Sequence, residues 1–343
     1  MATTIGDVAR EAGVSRSTVS SVLTGRKVVS PETRARIEVA IAKLDFSVNS
    51  GARALATRRT MTLGLVVRFH EAEFAPALST YVVAISDAAR ARGFSVLLLT
   101  DPDGAVAVRQ AIAGRHVDGL ILMNVVEDDP RIEPIATSGF PAVLIGFPGE
   151  RRGIDAVDLD FAAGARLLVD RLADSGHRDV AFLTLPDELF ATGATYASRF
   201  RDAAQARAAE RALRLLPVPA PVTPAAVRAR LREVLPRLGA HCTALLVHND
   251  AAVAMLPTVL QELGVAVPRD LSVLSLHSAD LAQLYLLPYT SVESQPEHVV
   301  EEAVELLVRR IGDASVDEPA ARLVAPLIEE RGSVAAVLGS PPG

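Results

Sequence analysis

Two sets of polar side chains have the types and spacing to do chemistry. The first is Arg16, Ser17, Thr18, Ser20 and Ser21, crowded into six positions. Arginine can donate two parallel hydrogen bonds to a guanine edge, and hydroxyls both donate and accept. Such residues suit the major groove of DNA and its phosphates. The second set is His248-Asn249-Asp250 with His277, groups able to hold a small polar ligand by hydrogen bonds. A metal site needs three or four converging ligands; only the two histidines are expected near one another, and no metal or cofactor is called for. The chain carries no G-x-G-x-x-G after a strand, no G-x-x-x-x-G-K-[ST], no H-E-x-x-H and no G-x-S-x-G. Acids are plentiful, but no pair can be assigned as general acid and base.

The first set needs a helix to present it. Thr4 precedes the apolar stripe Ile5, Val8, Ala9 and Ala12, which predicts a helix from Ile5, with Thr4 and Asp7 resembling a capping box. Gly13 can stop that helix, and Ser15 can cap a second one from Arg16 to about Leu23, with Val19, Val22 and Leu23 inward. Ser30-Pro31-Glu32 starts a third, carrying Ile37, Ile41 and Leu44 on one face. Two short helices joined through Ala-Gly-Val form a helix-turn-helix, and the third completes a core.

Charge supports a polyanion as partner of this head. Residues 1–60 hold ten Lys/Arg against five acids, whereas the remainder holds 25 against 36.

The residues Thr4 to Leu23, Val29-Ser-Pro-Glu-Thr-Arg34 and Asn49-Ser-Gly-Ala-Arg-Ala-Leu55 resemble the head of the LacI/GalR family of bacterial ligand-responsive transcription regulators. The resemblance implies that Arg16, Ser17 and Ser21 read bases while Thr4, Ser15, Thr18 and Ser20 hold phosphates. It also implies that Asn49 to Ala56, with Ala52 inside it, is a hinge helix ordered on DNA, and that Leu55 wedges into the minor groove. An apolar wedge unstacks a base step and gains bent DNA that meets more protein. Gly6, Ser21 and Val48 depart from the family's usual residues. Ser21 replaces a longer donor, leaving Arg16 to supply the main guanine contact.

The second set needs strand ends. From Thr62 onward, short apolar runs (Leu63–Val67, Val96–Leu99, Gly119–Met123, Ala142–Ile145, Val180–Leu183, Ala244–Val247 and Leu271–Leu274) alternate with helical patterns such as Tyr81–Gly93, Ala162–Gly176 and Ala251–Gly264. Continuous runs predict parallel strands buried on both faces. The βαβ repetition predicts two doubly wound halves, with ligands beyond the carboxyl ends of the strands. Those ends include Arg68 to His70, Thr100-Asp101, Asn124, Gly146, His248 to Asp250 and Ser275 to Ser278.

The body also resembles the family's periplasmic-binding-protein-like core, on Ser175-Gly-His-Arg178, Arg199 after Tyr196-Ala-Ser, His248-Asn-Asp250, Val267 to Leu274 and Arg331-Gly-Ser333. The resemblance implies that Arg199 and Asn249 grip effector hydroxyls. Asp250 either joins them or caps the next helix. Gly146 stands where a sugar-binding Asp is common, Leu276-His277-Ser278 replaces an aromatic-Asp-Asp, and Asp202 replaces a Gly. An effector with an acidic group facing Arg199, or a larger glycoside filling the space at Gly146, fits these departures.

Composition is consistent with this. Of 343 residues, 50% are hydrophobic and 22% charged, which excludes disordered and collagen-like chains. No apolar run reaches a membrane span, and the N-terminus lacks the apolar stretch of a signal peptide, so a soluble cytoplasmic protein is expected. Single Cys242 excludes an internal disulfide framework, and the 4% aromatic content with no Trp argues against stacking platforms. No leucine heptad appears near Leu338 to Gly343, so a C-terminal coiled coil is not expected.

The expected architecture is an all-α helix-turn-helix head (1–48), a hinge and linker (49–60) and an α/β core (61–343) of two doubly wound parallel-sheet subdomains, at 61–159 plus 291–321 and 160–290 plus 322–338. The expected function is a sequence-specific DNA-binding transcription regulator, a repressor, acting as a homodimer on a pseudo-palindromic operator and switched by a small-molecule effector. The alternatives are a sugar- or nucleoside-metabolising α/β enzyme with an accessory helical domain, or a degenerate receptor that reads DNA weakly.

Overall fold

The Asp7 carboxylate accepts from both the Thr4 amide (3.0 Å) and the Thr4 hydroxyl (2.6 Å), which fixes the start of helix α1, Ile5–Ala12. Gly13 ends it in the left-handed region at φ 64°. Helices α2 (Arg16–Thr24) and α3 (Pro31–Lys43) follow, α3 opening with the Ser30 hydroxyl accepting from the Thr33 amide. Val8, Ala9, Ala12, Val19, Ile37 and Ala40 form the core of these three helices. Lys43 and Glu11, 2.6 Å apart, tie α3 back to α1.

The computed structural model describes residues 3–24, 29–46, 59–67, 75–238, 242–313 and 318–337. They fall into two compact units, Met1–Met61 and Thr62–Gly343. Asn49, Ala52, Leu55 and the hinge segment that contains them lie outside the described residues, as do Arg68 to His70.

The second unit carries two six-stranded sheets. The first is built from β1 (Thr62–Val66), β2 (Ser95–Leu99), β3 (Gly119–Leu122), β4 (Ala142–Ile145), β5 (Asp155–Leu159) and β11 (Ala321–Val324) in the order β11-β5-β4-β3-β1-β2, all parallel. The second holds β6 (Asp179–Thr184), β7 (Arg214–Pro219), β8 (Ala244–Val247), β9 (Ser272–His277), β10 (Thr290–Glu293) and β12 (Leu327–Glu329) in the order β12-β10-β9-β8-β6-β7, with only β12 antiparallel. Central strands are buried along their whole length, as continuous apolar runs require.

The chain crosses between subdomains three times: after β5, between β10 and Pro296, and between β11 and β12. The expected boundaries lie at 159/160, 290/291 and 321/322; the first crossing follows the end of β5 at Leu159. The other two crossings correct the boundaries at 290/291 and 321/322: residues 291–293 belong to the second sheet, where β10 pairs with β9, and residues 322–324 belong to the first, where β11 pairs with β5. Three helices bear on the site. They are α4 (Ala75–Ala91), α9 (Thr195–Glu210) and α11 (Asp250–Leu263); with α5–α8 at 104–114, 132–138, 161–174 and 187–191, α10 at 224–238, α12 at 279–285 and α13 at 296–312, they cover the sheets.

Candidate DNA-reading face and ligand cavity

In the head, Val19 is fully buried on the inner side of α2, which leaves Arg16 and Ser17 exposed on the other. Ser15 organises the start of that helix: its hydroxyl accepts from the Thr18 amide (3.1 Å) and bonds the hydroxyls of Ser17 (2.7 Å) and Thr18 (2.8 Å). Ser21 donates to the Ser17 carbonyl at 2.8 Å, and Ser20 is half-buried beside it. The Arg16 guanidinium lies against Gly6: a β-carbon there would come within 2.9 Å of Nη2. Thr4, which is also exposed, caps the neighbouring helix. The structure thus gathers Ser15, Arg16, Ser17, Thr18, Ser20 and Ser21 at one helix, with Thr4 at the start of another.

In the second unit, a cavity of about 160 Å³ lies where both sheets turn their carboxyl ends toward each other. The first subdomain contributes Leu78, Thr80 and Tyr81 from α4, Met123 to Val125 after β3, Ile145 and Gly146 at the end of β4, and Asp158 on β5. The second contributes Phe161, Leu185, Thr195, Tyr196, His248, Asn249, Asp250, Leu276 and Ser278.

Of the sequence-derived effector residues, Gly146, His248, Asn249 and Asp250 line this cavity; Arg199 and His277 do not. Arg199 sits one layer behind, its Nη2 donating to Asp158, with its guanidinium 5.5 Å from the Phe147 ring and 5.7 Å from that of Phe161. Its charge is therefore met by a protein carboxylate, which corrects the expectation of an acidic ligand group facing it. His277 is the last residue of β9, and strand alternation turns it away from the face of cavity-lining Leu276; its Nδ1 bonds Ser275 Oγ at 2.9 Å instead. Thr100 and Asp101 do not line the cavity either.

The cap of α11 is Asn249 rather than Asp250. Asn249 Oδ1 accepts from the Ala252 amide at 3.0 Å, while Nδ2 donates to the carbonyls of Ala220 (2.9 Å), Thr184 and Pro221 (both 3.3 Å). Asp250 is thereby left at the first helical position, facing the cavity.

Burial dominates the electrostatics. It pushes the Asp250 carboxyl up to about 7, and that of Asp158 up to about 6 against the opposing pull of Arg199. It lowers the His248 imidazole to about 3, so the ring is neutral at pH 7. That ring lies 4.1 Å from Phe200 and 6.1 Å from both Phe161 and Tyr196, centroid to centroid. Among the described residues no cluster of His, Cys, Asp or Glu has the grouping of a metal site.

Sequence reasoning missed Asp158 and the clamp beside the cavity. There, the Glu127 amide donates to Gly193 (2.9 Å), Thr195 donates to the Val125 carbonyl through both its amide (3.3 Å) and its hydroxyl (3.2 Å), and Val126 bridges Ala194. Beneath it, fully buried Arg131 makes a double bond pattern with Asp129 (2.9 and 2.6 Å) and donates to the Asn124 carbonyl at 3.1 Å. The signal available was Asp129-Pro-Arg131, an acid and a base two residues apart in the loop that follows β3.

Comparison with known proteins agrees with this geometry. Residues 4–49 match the model for bacterial regulatory proteins of the lacI family, and residues 169–334 match a periplasmic binding protein-like domain. The chain is 34% identical to the HTH-type transcriptional regulator CelR of Thermobifida fusca, over 90% of this chain and 92% of the relative. It is 28% identical to the ribose operon repressor of Escherichia coli K12, over 96% and 99% respectively.

Among solved structures, the transcriptional regulator CelR–cellobiose complex superposes with a TM-score of 0.66 at 29% identity, covering 96% of this chain and 99% of that one. The Lac repressor dimer bound to operator and the anti-inducer ONPF shares the fold, with a TM-score of 0.78 at 24% identity over 98% and 100%. A three-helix head, a two-sheet receptor core and a full-length relative above 30% identity place this chain in the LacI family of bacterial regulatory proteins.

Proposed function

We propose that the chain is a transcription repressor that binds a pseudo-palindromic operator as a homodimer, and whose operator affinity is switched by a small polar effector held in the cavity of the core. The observation that carries this reading is the exposed face of α2, where Arg16 and Ser17 stand opposite fully buried Val19. A helix presented in this way fits the major groove, with Arg16 on a guanine. The basic residues of the head neutralise phosphates, and Asn49, Ala52 and Leu55 carry the central minor-groove contact. Operator binding places the site of action in the cytoplasm, and no helix among the described residues is long and apolar enough to cross a membrane.

Self-association is supported by large apolar side chains left exposed on the core: Val83 on α4, Leu97 and Leu98 on edge strand β2, and Leu284 and Leu286 around the end of α12. The effector acts by binding one arrangement of the two subdomains better than another, which biases the DNA-competent state. The relatives are regulators, and the cavity serves recognition rather than turnover.

The test is selection of a binding site from random duplexes with the full-length protein, followed by fluorescence anisotropy over a salt series. A palindromic site bound at least a hundredfold more tightly than scrambled duplex, with affinity falling steeply as salt rises, is expected. Equal affinity for both duplexes would overturn the reading.

A further inference from the structure

The operator reading rests much of its discrimination on one long, flexible cation, and the free head holds that cation back. Arg16 is exposed on α2, yet its guanidinium lies across the first turn of α1, over Gly6. A β-carbon at Gly6 would meet Nη2 at 2.9 Å, Nε at 3.0 Å and Cζ at 3.1 Å. Gly6 is buried, whereas Thr4 before it and Arg10 one turn after it are exposed.

Local propensity does not ask for glycine at this place. Gly6 is the second residue of α1, with no left-handed φ, and alanine favours a helix more than glycine does. The space above it is what only glycine leaves open, and Arg16 fills that space. The other polar side chains of the α2 face are also engaged within the head. Ser15 bonds Ser17 at 2.7 Å and Thr18 at 2.8 Å, and Ser21 donates to the Ser17 carbonyl at 2.8 Å. Those hydroxyls are short and stay on their helix. An arginine can reach a phosphate in any register, and a phosphate contact carries no sequence information. If Arg16 gripped phosphates freely, it would add affinity for every duplex and discrimination for none.

Resting on the operator-binding reading, we propose that Gly6 is a specificity-determining residue that acts through Arg16: it gives the guanidinium a resting place on α1, off the phosphates, until a guanine edge in register draws it out. The resting contact competes with a solvent-exposed phosphate pair, which is weak and screened by salt. It does not compete with two aligned hydrogen bonds to a base. Gly6 is thus a positioning residue, touching no DNA itself.

The experiment is fluorescence anisotropy of full-length wild type, Gly6→Ala, Arg16→Ala and the double variant, on the selected operator and on scrambled duplex, at about 50 and about 200 mM salt. Gly6→Ala requires only the tip of Arg16 to move and suits the helix, so the head keeps its fold. Released, Arg16 neutralises one more phosphate, which adds about 0.9 to the salt slope. The rise in salt is therefore expected to weaken scrambled-duplex binding by Gly6→Ala about threefold more than by wild type. At the lower salt, Gly6→Ala is expected to bind scrambled duplex about threefold tighter, and its preference for operator falls by the same factor. In the Arg16→Ala background, Gly6→Ala is expected to change neither quantity. An unchanged salt slope, an unchanged operator preference, or the same effect without Arg16 would overturn the role of Gly6 and leave the operator reading intact. A wild type that prefers no duplex overturns the operator reading, and the specificity role with it.

Discussion

Arg16 lies back on α1 in the free head, and the absence of a side chain at Gly6 is what lets it do so. Moving it to a base edge takes a rotation of a long, exposed side chain, with no buried contact to break. Arg16→Ala should therefore cost about 1–3 kcal/mol of operator affinity and change binding to scrambled duplex little, as read by anisotropy on both duplexes. In the core, Asp250 supplies a pH prediction. Its folded-state value of about 7 lies above the ordinary 3.8, so the folded protein binds the proton more tightly than the unfolded chain and loses stability as pH rises through that window. Asp250→Asn removes the penalty. Its gain in Tm should be near zero at pH 4, grow up to pH 7 and level off above; thermal melts at half-unit pH steps check it, and a gain independent of pH would place Asp250 in solvent. The resemblance implied that Arg199 grips effector hydroxyls; neither its position behind the cavity nor its pairing with Asp158 was legible. Nothing in the run Asp155-Ala-Val-Asp-Leu159 distinguishes an acid aimed at an arginine 41 positions away from a solvated one.

At the level of elements, the loop after β3 does two tasks: it lines the cavity with Asn124 and Val125, and it clamps the other subdomain through Val126, Glu127 and the Val125 carbonyl. The Asp129–Arg131 pair holds that loop from below with both side chains fully buried. Removing one member strands a buried charge, so Arg131→Met should destabilise the core by roughly 3–5 kcal/mol, whereas Arg131→Met with Asp129→Asn should cost clearly less. Urea denaturation of the two variants reads the difference, and equal losses would show that the pair contributes only volume. All seven strands with continuous apolar runs were legible; in six of them burial on both faces leaves little room for polar residues, whereas β2, expected to be buried, is an edge strand exposed along much of its length. Asp155–Leu159, Arg214–Pro219, Thr290–Glu293, Ala321–Val324 and Leu327–Glu329 were not, for two reasons. Edge strands β7, β11 and β12 are largely exposed, and β5 and β10 carry acids at crossings between subdomains. The misplaced boundaries at 290/291 and 321/322 fall on these same strands. The head was legible almost to the residue, since caps, glycine stop and apolar spacing all act within a few positions of one another.

For the whole molecule, the proposed function joins a head too small to hold an operator alone with a core that supplies the second copy. Among the described residues, the three helices bury six apolar side chains fully or nearly so, and their affinity for one half-site is multiplied when two heads are tethered. Self-association through the exposed apolar residues of α4 and β2 is thus a condition for tight binding as well as a matter of assembly. Leu97→Asp with Leu98→Asp puts two carboxylates on that edge strand, where both side chains are about two-fifths exposed and little of the core is disturbed. The double variant should sediment as a monomer and bind the full palindrome no better than a single half-site, a loss on the order of a hundredfold or more. Leu55→Ala leaves association intact and should weaken operator binding far more than binding to scrambled duplex, because a wedge contributes only where the central step can be opened. Analytical ultracentrifugation and anisotropy on full and half sites separate the two variants. A monomeric Leu97/Leu98 variant that still bound the palindrome with wild-type affinity would detach operator recognition from the core and leave the head to act by itself.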